Sequence, residues 1–194
     1  MPMYHAGNRE IQAMFGSTAL ADRLVERLHR ARLTDEDRDF IQSLDYFFLA
    51  TSTAEGLPDC SFKGGAPGFV RVVRPDLLVW PDYDGNGMFK SLGNIRANGH
   101  VGLLFMRMGD APKRLRVNGV AELSFDDPLI AEFPGAQGVV KVTPVDVFPN
   151  CPRYIPDPEA GKASPYVPRP DEPPVEPKWK SMDMFRDVVP PRKA

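Results

Sequence analysis

In Lys113-Arg114-Leu115-Arg116-Val117-Asn118-Gly119-Val120-Ala121-Glu122-Leu123, apolar and polar side chains alternate. Leu115, Val117, Gly119, Ala121 and Leu123 fall on one side of an extended chain. Arg114, Arg116, Asn118 and Glu122 fall on the other. A period of two held this long describes a strand with one buried and one solvated face, as in an antiparallel sheet. Working outward, residues 101–107 read as a strand and 108–112 as its loop. Residues 69–73 and 77–80 flank Arg74-Pro75-Asp76, which is hairpin chemistry. Residues 46–53 and 58–64 form another pair around a Glu55-Gly56 turn, and residues 137–148 supply a last strand. Six or seven strands with short helices predict a mainly β fold, a small antiparallel barrel with helical decorations.

The helices come first in the chain. Residues 9–15 read as a short helix ended by Gly16. Ser17 then precedes residues 19–32, where Leu20, Leu24 and Leu28 recur every fourth position. Thr34 opens a third, with Asp35, Glu36 and Asp37 at its positive end and Phe40, Ile41 and Leu44 toward the core.

Composition narrows the class. The 194 residues are 42% hydrophobic and 26% charged, enough for one domain with an appendage. Twenty-four basic and 26 acidic residues nearly cancel, which argues against general nucleic-acid binding or a polybasic membrane surface. No apolar run is long enough to span a bilayer, and the opening residues show no secretory signal, so a soluble cytoplasmic protein is expected. Two cysteines, Cys60 and Cys151, make no disulfide framework, and His5, His29 and His100 are too scattered for a metal site. Neither a Ser-His-Asp order nor a carboxylate pair can be read, and no catalytic residue is assigned. Of the 21 prolines, eleven fall in residues 152–194. The chain therefore divides into a folded body, residues 1–150, and a proline-rich arm, residues 151–194. The arm carries Tyr154, Ile155, Tyr166, Trp179, Met182, Met184 and Phe185, aromatic and apolar residues suited to wrapping a surface.

Two segments carry chemistry. In Asp82-Tyr83-Asp84-Gly85-Asn86-Gly87-Met88-Phe89-Lys90-Ser91-Leu92-Gly93-Asn94-Ile95 a strand gives way to a glycine-rich turn and then a helix over residues 88–97. A helix start offers unpaired N–H groups that suit a phosphate, and Lys90 and Ser91 add a cation and a hydroxyl there. In Pro58-Asp59-Cys60-Ser61-Phe62-Lys63-Gly64, Ser61 and Lys63 point to the same side of a strand. Either segment alone is equally at home in an ordinary loop or a solvated strand.

Taken in order, several segments resemble the pyridoxamine 5'-phosphate oxidase-related, FMN-binding split-barrel family. They are Ser61-Phe62-Lys63-Gly64 with Pro67-Gly68-Phe69-Val70, Gly85-Asn86 through Ser91-Leu92-Gly93-Asn94-Ile95, Val101-Gly102-Leu103-Leu104-Phe105, and Leu115 to Ala121. Tyr4-His5-Ala6-Gly7-Asn8-Arg9 and Asn150-Cys151-Pro152 also look like one branch of it. The resemblance implies a six-stranded antiparallel split barrel with N-terminal helices, a homodimer, and FMN at the subunit interface. It implies that Lys90 and Ser91, with Asn94 nearby, hold the FMN phosphate. Ser61, Phe62 and Lys63, with Trp80, Pro81 and Asp82, would form the wall beside the flavin ring. Arg114 would reach toward the flavin, and Trp179 in the arm would approach it, residues 179–189 packing beside the barrel. Two departures separate the chain from authentic pyridoxamine phosphate oxidases. Phe89-Lys90 stands where they carry Arg-Lys, and Met184-Phe185-Arg186-Asp187 lacks their substrate-binding histidine. What is implied is an FMN-dependent oxidoreductase acting on a small molecule or electron donor. The other class left open is a non-catalytic carrier or sensor, or a haem or F420 binder on the same fold.

Overall fold

A computed structural model describes residues 3–158 and 175–190. Tyr166 lies outside them. Two compact units are distinguished. One holds the described residues up to His29, Met108–Pro112 and the described residues from Cys151 onward. The other holds Arg30–Arg107 and Lys113–Asn150.

The second unit is built on one antiparallel sheet. Its strands are β1 (Tyr46–Ser52), β2 (Pro58–Gly64), β3 (Arg71–Arg74), β4 (Leu77–Tyr83), β5 (His100–Arg107), β6 (Lys113–Ser124) and β7 (Ala136–Asn150), in the order β2-β1-β5-β6-β7-β4-β3. There are seven strands, because the short β3 completes the hairpin with β4. The split-barrel sheet is not closed, since β2 and β3 remain its edges. It nevertheless curls. Phe47 on β1 packs against Trp80 on β4 with ring centroids 5.2 Å apart, although three strands lie between them in the sheet. Phe105 and Phe69 join the same cluster at 5.3 and 5.9 Å from Phe47. Leu49, Leu78, Leu103, Leu115, Val117, Val140 and Val142 complete this core, the inward half of each alternating strand.

The long β6–β7 ladder bends where Gly119 faces Pro144 and Asn118 faces Asp146, leaving Val145 as the extra residue of a bulge. A Cβ on Gly119 would lie 2.4 Å from the Thr143 carbonyl oxygen, so the close approach requires glycine.

Helix α3 (Asp35–Gln42) begins at a reciprocal cap between Thr34 and Asp37 and buries Phe40 and Ile41. The Arg30 guanidinium donates to both oxygens of the buried Asp37, at 2.9 and 2.6 Å. In the first unit, α1 (Ala6–Met14) and α2 (Thr18–Leu28) are both shifted from their predicted spans. His5 caps α1 through the Gly7 amide, starting it at Ala6, and His29 turns extended, ending α2 at Leu28. A 3-10 turn, Lys178–Ser181, precedes Phe185, which is buried and takes Trp179 edge-on at 5.8 Å. Arg23 of α2 donates to the Met184 carbonyl and to the Asp187 carboxylate, pinning this segment within its own unit.

Candidate functional site

The site forms where β2 meets the helix that follows β4. That helix, α4 (Lys90–Ala97), begins two positions later than the sequence predicts. The delay has a local cause. The Asn86 side chain accepts from the Met88 amide, and Phe89 adopts left-handed backbone, φ 47°, ψ 27°. Phe89 is the N-cap but offers no side-chain hydrogen bond. Lys90 and Ser91 therefore occupy an uncapped first turn, and the first backbone closure runs from the Gly93 amide to the Phe89 carbonyl.

The rest of α4 is anchored. Leu92 and Ile95 enter the core, and buried Asn94 donates from Nδ2 to Thr51 Oγ1 of β1 at 2.9 Å. Asn98, at its end, donates to Ser52 Oγ and to the Thr53 carbonyl. These bonds fix the helix on β1 and leave its N-terminal end facing β2. Across that junction Ser91 Oγ lies 3.0 Å from Ser61 Oγ, and Lys90 Nζ lies 3.4 Å from Asp59 Oδ1.

A cleft of about 400 Å³ opens here. Its walls include Asp59, Ser61, Phe62 and Lys63 of β2, Asp82 and Tyr83 of β4, the turn at Gly85–Asn86–Gly87, and Lys90 and Ser91 of α4. Met88 and Phe89 line it while remaining more than half exposed. Such a volume with a few converging polar groups is what a small-molecule site requires.

The sequence-derived residues sort clearly. Ser61, Phe62, Lys63, Asp82, Lys90 and Ser91 come together in the cleft. Trp80 and Pro81 are buried, Trp80 within the aromatic core, so they support the wall rather than line it. Asn94 is turned to Thr51. Arg114 sits between Met106 and Asn150 in the ladder and is not a lining residue. Trp179 is not a lining residue either, and it belongs to the other unit. Cys60 is exposed, on the outward side of β2, and also borders the cleft.

Four polar lining residues were missed as site members: Asp59, Tyr83, Asn86 and Gln137. Gln137 Nε2 donates to Asp82 Oδ2 at 2.8 Å, a contact made by the β4–β7 pairing. Asp59 could have been found, since it shares the alternation of Ser61 and Lys63.

An open, curled antiparallel sheet with a polar cleft at a helix start defines a split-barrel protein. The family model for pyridoxamine 5'-phosphate oxidase matches residues 33–151, and the chain belongs to that family. No curated protein matches it. Among solved structures it is similar to a candidate pyridoxamine 5'-phosphate oxidase from Lactobacillus delbrueckii. The two share 26% identity over 61% of this chain and 95% of the other, with a TM-score of 0.47. It is also similar to the haem storage protein HutZ from Vibrio cholerae, at 20% identity over 60% and 96%, TM-score 0.42. An FMN-binding protein from Syntrophomonas wolfei gives 13% identity over 75% and 94%, TM-score 0.43. Among the described residues no helix is long and apolar enough to cross a membrane.

Proposed function

We propose that the cleft binds FMN and that the protein is an FMN-dependent oxidoreductase acting on a small molecule, as a homodimer. The observation that carries this reading is the uncapped first turn of α4, with Lys90 and Ser91 on it, facing Ser61 and Lys63 across one cleft. The residues present fit the cofactor. The turn supplies free backbone N–H groups, a cation and a hydroxyl for the phosphate. Phe62, Met88 and Phe89 supply apolar surface that a flat ring would cover. Asp82, held by Gln137, and the Ser61 hydroxyl are polar groups placed to orient the ring's edge.

FMN, when bound, supplies the electron and hydride transfer, so the chain's own task is to bind, orient and exclude water. Family membership supports the same cofactor.

A second copy is supported by the outer face of the sheet. Phe62, Phe48, Leu104, Arg116 and Phe148 form one cross-strand row over five strands, with Phe62 63% exposed. Covering that row would complete a site whose rim is left apolar and open.

The absorption spectrum of the purified protein tests the cofactor. Two bands of a bound flavin are expected. A Soret band would replace this reading with haem, and a flavin bound without turnover under any donor would make the protein a carrier.

A further inference from the structure

The cleft's charged side chains cancel. Lys63 and Lys90 are matched by Asp59 and Asp82. The pairing is local at the helix start, where Lys90 Nζ lies 3.4 Å from Asp59 Oδ1. Among the described residues Lys90 is the only partner of the Asp59 carboxylate. The two side chains are unequally free, since Asp59 is 21% exposed and Lys90 58%. Asp59 is held on its strand, opposite Thr51 of β1, and shares the cleft-facing side with Ser61 and Lys63.

A phosphate approaching this turn therefore meets an ion pair, not a lone cation. It must share Lys90 with a carboxylate already within bonding range, and it carries close to two negative charges itself. The attraction of the ammonium is opposed by repulsion from the carboxylate 3.4 Å beside it. Backbone N–H groups and the Ser91 hydroxyl remain to favour the anion, but the net charge at the phosphate end is close to zero.

We infer that Asp59 is a specificity-determining residue that limits the cleft's affinity for the phosphorylated flavin, so that FMN is held exchangeably rather than as a permanent group. This rests on the FMN reading of the cleft. Asp59 acts on the phosphate alone, which distinguishes it from residues along the ring wall.

The test is Asp59→Asn, which keeps the shape and removes the charge on an edge strand. FMN and riboflavin are titrated into the wild-type protein and the variant, with circular dichroism confirming the fold. Asp59→Asn is expected to tighten FMN about three- to thirtyfold at low ionic strength, by slowing its release, with riboflavin changed less than twofold. The gain should shrink as salt is raised. A folded variant with unchanged or weaker FMN binding overturns the inference, as does an equal gain for both flavins. A wild-type protein that binds neither flavin overturns the reading of the cleft itself, a result separable from the first because no variant is needed to see it.

Discussion

Arg23 and Asp187 tie the segment around Phe185 to α2. The guanidinium donates 3.2 and 3.3 Å bonds to the carboxylate and a 2.8 Å bond to the Met184 carbonyl. The hydrogen bond from Arg23, above all, holds the Asp187 carboxyl below the usual carboxylate range. A carboxylate with a lowered folded-state pKa stabilises its docking above the ordinary aspartate pKa. That contribution is lost as the pH falls through the lowered value. Amide exchange at residues 185–189, corrected for intrinsic rate, should therefore accelerate in acid. Asp187→Asn should produce the same acceleration at neutral pH and no further change on acidification. Equal protection in both proteins at every pH would remove the pair from the account. Composition predicts an extended arm, and aromatic content predicts docking. The partner on α2 could not be read, because Arg23 is one of many charged residues on a helix surface.

At the level of elements, the β6–β7 ladder is the feature most exposed to a single change. Gly119 sits against the bulge, and an alanine there would bring its Cβ within 2.4 Å of the Thr143 oxygen and 2.7 Å of Val142. Backbone cannot yield without breaking ladder bonds, so Gly119→Ala should cost about 3 kcal/mol in urea unfolding. A cost under about 0.5 kcal/mol would mean that the bulge is not fixed by glycine. The alternation of β6 was legible because one face is buried, from Leu115 to Ala121. Residues 137–148 likewise read as a strand, and β7 runs two residues further, to Asn150; the bulge beside Pro144 accommodates that proline within the ladder. Helix α2 was read too long. Its leucine spacing ends at Leu28, where the helix ends, and Arg30 exchanges backbone hydrogen bonds with Val147 of β7, a tertiary pairing that no local pattern announces. The cleft divides in the same way. Ser61, Lys63, Lys90 and Ser91 follow from strand alternation and a turn before a helix, whereas Gln137 reaches Asp82 only through the β4–β7 register.

For the molecule as a whole, the outward row from Phe62 to Phe148 bears on assembly. Tyr46 stacks on Phe62 at 5.6 Å and 17°, and Phe48 meets it edge-on, so the aromatic face is ordered within one chain. Arg116 lies over Phe148 in the same row. An apolar face bordering a small-molecule cleft favours burial against a second copy. Sedimentation at micromolar concentration should give a dimer, and Phe62→Glu should shift it toward monomer. A wild-type monomer that retains flavin would contradict a site shared between copies.

The central claim is that the first turn of α4 holds the phosphate of FMN, and a comparison of two flavins on one variant tests it most directly. A charge-assisted bond contributes about 1.5–3 kcal/mol, so Lys90→Ala should weaken FMN roughly 10- to 100-fold. The same change leaves Asp59 without its cation, which adds to the loss for an anion. Riboflavin, lacking the phosphate, should bind the variant and the wild-type protein nearly alike. Equal weakening of both flavins, or of neither, would place the phosphate elsewhere and contradict the account.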